Sequence, residues 1–261
     1  MGHERVGVLP KTKPWEDLVG QIAVWAEAEE DVADIVDRTI SNVDARFRRM
    51  HKDEGVVACF RFLLALSISS RRDDPREALR EHGVSCPDEV TPLTLTKALR
   101  EYISGTYESA EYKEIGVRSV AEAISQWTRK NTPQHTHLFE PQGNPFDPWR
   151  KASRGSGFCE LGQLFFAAYT KRYLGYFLDR TASASLGDIG LREKFSRQVD
   201  QQADQATRHA METAQITRSF AAGWFNKRTR EGMPTDEEIR GFLRMGFNKL
   251  REELRREGDT E

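Results

Sequence analysis

Cysteine is scarce in this chain. Cys59, Cys86 and Cys159 are the three present, an odd number with no paired spacing. That excludes a disulfide framework and a C-x-x-C zinc site, and it points to a reducing compartment. Net charge is also nearly absent, at −2, so no global field draws the chain to nucleic acid or to a membrane surface. No apolar run reaches the roughly 20 residues that a membrane-spanning helix needs. The richest stretch, residues 157–178, is broken by Glu160, Gln163, Lys171 and Arg172. The N-terminal MGHERVGVLPKTKPWEDL carries no apolar signal region, and Gly2 lacks the Ser or Thr at position six that myristoylation uses. A cytoplasmic protein with no membrane partner is the expectation. G-x-x-x-x-G-K-[ST], H-E-x-x-H, Glu-x-x-His and G-x-S-x-G are all missing, which removes the P-loop, zincin, di-metal carboxylate and α/β-hydrolase signatures. No cofactor is expected.

What is present is helical patterning. In 157–178, Phe158, Leu161, Leu164, Phe165, Phe166, Ala168, Tyr169, Tyr173, Leu174, Phe177 and Leu178 recur in steps of three and four. The apolar arc is wider than one stripe, so this helix is expected to be surrounded by others and to form the keel of the core. The stretch 191–230 has no proline, and its stripe of Phe195, Val199, Ala203, Ala206, Ala210, Thr213, Thr217, Phe220 and Trp224 is small in the middle. It reads as one long helix able to pack closely on that keel.

Further helices follow from start and stop signals. Pro14 opens one carrying Leu18, Val19, Ile22 and Trp25. Val32, Ile35, Val36, Ile40, Val43, Phe47 and Met50 mark a second, and 55–69, nearly all apolar apart from Arg61, reads as a buried helix. Asp74-Pro75 and Thr91-Pro92 begin two more, stopped at Gly83 and Gly105. Another spans about 109–130, with Gly116 as a break or kink. Thr235 to Glu238 is a capping box opening the last helix. The expected fold is an all-α multi-helix bundle. It comprises an extended tail (1–14), a helical unit (15–130), a Pro-rich loop (131–156) and a second helical unit (157–261), the two units forming one domain or two halves.

Within 131–156, Pro133, Pro141, Pro145 and Pro148 argue against any helix. Phe139, Phe146 and Trp149 suggest a loop lying against the protein. Trp149, Phe146 and Arg150 are the expected partner-binding residues, since Trp and Arg are enriched at binding hot spots. His135 and His137 could share a metal with Cys159, Asp147 or Glu140, although three or four ligands at recognisable spacing are what zinc requires. Arg150, Lys151 and Arg154, leading into glycines and a helix start, could hold a phosphate. Arg240, Arg244, Arg251 and Arg255 fall on one side of the last helix and could follow a phosphate backbone. Arginine makes up 28 of the 39 basic residues. That suits phosphate recognition, but a GC-rich coding sequence supplies the same bias. Over 131–261, 20 basic residues face 18 acidic ones, so ion-paired, solvated faces are the plain reading of these stripes.

Arg129 and His135 stand at the R-x5-H spacing used by helical ribonucleases of the HEPN type. The spacing resembles that family's, with Pro133 falling between the two residues and nothing else of its pattern present. The resemblance implies a histidine acid or base and an arginine on the phosphate. The leading expectation is a non-catalytic helical interaction or scaffold subunit of an intracellular multi-protein assembly, with self-association as a further option. The alternative is a nucleic-acid-associated protein, such as a subunit of a bacterial genome-defence or DNA-processing system.

Overall fold

The computed structural model describes residues 13–28, 32, 35, 38–39, 41–42, 49–104, 112–132, 144–213 and 215–258. The 131–156 expectations at Pro133, His135, His137, Phe139, Glu140 and Pro141 therefore lie outside the described residues, as does the tail before Lys13. The described helices are α1 (Lys13–Ala28), α2 (Glu54–Ser69), α3 (Pro75–Glu81), α4 (Pro92–Ser104), α5 (Lys113–Asn131), α6 (Asp147–Ala152), α7 (Gly155–Ser185), α8 (Ile189–Thr213), α9 (Gln215–Arg228) and α10 (Asp236–Gly258), with a single 3-10 turn at Met50–Lys52. No strand occurs among the described residues. The protein is an all-α multi-helix bundle.

Local chemistry explains the boundaries. Asp53 caps α2 by accepting the Val56 N–H at 3.0 Å. Asp74 accepts the N–H groups of Arg76 and Glu77, with Pro75 next to it, and Gly83 ends that turn at φ +76°, a conformation glycine adopts at no steric cost. Thr91 and Thr94 bond reciprocally at the start of α4. The capping box forms as expected: the Thr235 N–H donates to Glu238 at 2.9 Å, and the Glu238 N–H donates to the Thr235 hydroxyl.

α7 is the keel. It packs against α1, α5, α6, α8 and α9, and Phe158, Leu161, Phe165, Tyr169, Tyr173 and Leu178 are fully buried. The 55–69 segment is helical and buried except at Arg61. Its Phe60 meets Phe158, Phe165 and Phe166 of α7 and Phe242 of α10. Each such ring contributes about 1.5–3 kcal/mol by burial, and each aromatic pair roughly 0.5–1.5 kcal/mol more. One cluster of buried side chains runs from Leu18 to Leu250, with α5, from the first half of the chain, lying along α7, from the second.

Several expectations are corrected. Gly116 does not break α5; it lets α5 approach α2, because a Cβ there would sit 2.8 Å from the Cys59 Sγ. The prolines of 131–156 do not forbid a helix: Pro148 occupies the first turn of α6, where its missing N–H costs nothing. The 191–230 stretch is helical on both sides of residue 214, which lies outside the described residues, so the expectation of one long helix is not overturned there. The turn expected at 183–190 is shorter, since α7 continues through Ser185 and α8 begins at Ile189.

Candidate functional site

Three helices end at one corner, and a single guanidinium ties them together. Arg71 follows the C-cap of α2, Ser153 is the C-cap of α6, and Thr229 follows α9. The Nε and Nη2 of Arg71 donate to the Ser153 carbonyl at 3.1 and 2.6 Å, and its Nη1 donates to the Thr229 carbonyl at 3.3 Å. Its guanidinium also lies over the Phe225 ring, 4.9 Å from the centroid. Helix C-termini leave carbonyls without intrahelical partners and carry partial negative charge, so a cation is the matching group. Burial lowers the Arg71 pKa from its ordinary value, while the carbonyl bonds and the ring face compensate for lost hydration.

This corner brings together cations from separate parts of the sequence. Arg150 pairs with Asp147 at 3.4 Å. Lys151 donates to the Asn131 carbonyl at 3.3 Å. Arg228 pairs with Glu238 at 2.5 Å. Arg72, Arg154, Lys227 and Arg230 are exposed and pair with no carboxylate among the described residues. The two glycines beside Arg154 serve packing. A Cβ on Gly157 would meet the Lys151 carbonyl oxygen at 2.1 Å, and one on Gly155 would meet Asn226 and Ala222 of α9. Arg154 itself is the N-cap of α7, with no side-chain cap hydrogen bond. Glu160, in the next turn, pairs with Lys130.

Trp149 and Phe146 are not exposed. Trp149 is 1% and Phe146 4% accessible, and the Pro148 carbonyl between them accepts the Trp127 indole N–H at 3.0 Å. The expectation that these rings face a partner is corrected: they fasten α6 to the core. The aromatic surface lies instead on α9. Phe220, 38% exposed, lies nearly parallel to Phe242, with centroids 6.2 Å apart. Trp224, half-buried, sits 4.5 Å from the same ring. Phe220, Gly223, Trp224 and Lys227 follow helical spacing along the outward side of α9, while Ala221, Phe225 and Thr229 face inward.

The remaining candidates scatter. Arg240 donates to the Lys52 carbonyl at 2.6 Å, Arg244 is exposed, Arg251 is half-buried, and the Arg255 side chain lies outside the described residues. The expected single basic line along α10 is thus divided between a structural bond and solvent. Arg129 is exposed on α5, and its proposed companion His135 is outside the described residues. Among the described residues no three metal-binding side chains cluster. Cys59 and Tyr169 are fully buried, and burial raises both well above their ordinary pKa values, which keeps them protonated and unreactive.

Arg71 and the Lys227–Arg230 group were missed as partners of the 150–154 cations. The signal that could have found Arg71 is its position just past an apolar helix, where a basic side chain meets orphaned carbonyls. Compared with protein-family models, with curated proteins and with solved structures, the chain matches none.

Proposed function

We propose that the chain is a non-catalytic helical interaction subunit of a multi-protein assembly, and that it docks a partner protein through the outward side of α9. The observation that carries this is the Phe220–Trp224 face. Phe220 is left exposed and Trp224 only partly covered in a bundle that buries most of its described rings, and aromatic residues are enriched at binding hot spots. The three cysteines are free thiols, which supports a reducing, intracellular setting.

The test is affinity capture from cells of the source organism, with quantitative mass spectrometry and light scattering on the eluted protein. Wild type is expected to bring down a stoichiometric protein, or a second copy of itself, that Phe220→Asp loses. Leu93→Asp, on α4, serves as the control and keeps it. Identical capture and mass for wild type and Phe220→Asp would overturn the proposal.

A further inference from the structure

We propose that the corner where α2, α6 and α9 end binds the phosphodiester backbone of a nucleic acid, through Arg72, Arg154, Lys227 and Arg230. Local charge carries this, and the near-zero net charge of the whole chain conceals it. The C-terminal carbonyls at this corner are already served by Arg71, whose guanidinium bonds both Ser153 and Thr229. The four other cations are therefore not needed to neutralise helix ends. The nearby carboxylates are mostly committed as well. Asp74 caps α3, Asp147 holds Arg150, and Glu238 holds Arg228 and the Thr235 N–H. Asp73 and Glu231, with Glu81 and Glu237 on the flanking helices, are left to oppose four exposed cations, three of them arginines, with Lys151 and Arg71 adding charge behind them.

Such an arrangement suits a chain of phosphates better than a single anion. The cations stand on three separate segments (71–72, 150–154 and 227–230) that the Arg71 bonds hold side by side. A line of separated cations matches repeated backbone charge, and arginine is the residue best shaped for phosphate oxygens. No base-reading group is required, so binding is expected to depend little on sequence. Lys227 borders the Phe220–Trp224 face, but Arg154 and Arg230, the residues tested below, lie outside α9, so their loss distinguishes this site from the α9 docking proposal.

The experiment is fluorescence anisotropy of the full chain with a labelled single-stranded oligonucleotide, repeated with the duplex, across a salt series. Four phosphate contacts to a single strand predict a log–log salt slope of about −3, or roughly 50-fold weaker binding between about 0.05 and 0.2 M salt. The Arg154→Ala/Arg230→Ala double variant should halve that slope to about −1.4, with an unchanged circular dichroism spectrum, while Lys97→Ala on α4 and Phe220→Asp keep the wild-type slope. Binding of either oligonucleotide with this response supports the proposal. Three outcomes overturn it: no binding by wild type, a slope that the double variant leaves intact, or binding only to phosphatidylserine-containing vesicles.

Discussion

α2 and α9 are of similar length but are used in opposite ways. α2 is buried on nearly every side, and its apolar residues all have partners inside the bundle. α9 turns Ala221, Phe225 and Thr229 inward and leaves Phe220, Gly223 and Lys227 outside. An apolar side chain on α2 is accounted for by the folding of this chain alone. An exposed phenylalanine on α9 is not fully accounted for, because the part of its apolar area left in solvent gains nothing until another molecule covers it. The same contrast applies to charge. Arg71 is consumed by two carbonyls and a ring face, whereas Arg154 and Arg230, one residue from those carbonyls, are free. The difference teaches that function is to be sought in what the fold leaves unused.

The comparison can be broken most forcefully in the core. Phe158 stacks on Phe225 with centroids 4.1 Å apart and also meets Phe60, so Phe158→Ala should cost about 3–5 kcal/mol in urea denaturation. Phe220→Ala should cost under about 1 kcal/mol, as surface substitutions do. Equal losses would erase the distinction between core and docking face. Glycine positions on α7 sharpen the contrast. Gly157→Ala drives a methyl into the Lys151 carbonyl and should destabilise by about 1–3 kcal/mol. Gly162, with nothing within 4 Å of an added Cβ, should gain about 0.5–1 kcal/mol as alanine. Thermal melts of the two variants should move in opposite directions.

Smaller effects are expected at the periphery. Thr235→Ala removes one half of the α10 capping box and should cost about 1 kcal/mol. His82 gives a pH signature. Burial, aided by Arg72 and Arg61 against the pull of Glu81, lowers its pKa in the fold. The unfolded chain therefore takes up the proton first, near pH 6.5, and the fold loses stability as pH falls through that value. Replacing His82 with Asn should flatten this part of the stability–pH curve; an unchanged slope would show that His82 is not its source.

Much of the bundle was legible because its signals are local. Proline at a helix start, Asp and Thr caps, and three–four apolar spacing mark α1, α3, α4, α7 and α10 without reference to the rest of the chain. The site was less legible for the opposite reason. Trp149 reads as a binding residue in a Pro-rich segment, yet its burial depends on Trp127, twenty-two residues earlier, bonding the Pro148 carbonyl. The basic corner requires Arg71, Ser153 and Thr229 to meet across long sequence separations, and no local pattern announces that. Gly157 invites a phosphate-loop reading until the carbonyl of Lys151 is seen against it.

The central claim is that the outward aromatic face of α9 serves binding and not folding. The most direct test is Phe220→Asp, measured by urea denaturation and by light scattering of the captured complex. Stability within about 1 kcal/mol of wild type, together with loss of the bound protein, is the predicted result. A variant that unfolds, or one that stays folded and keeps its partner, would contradict the account.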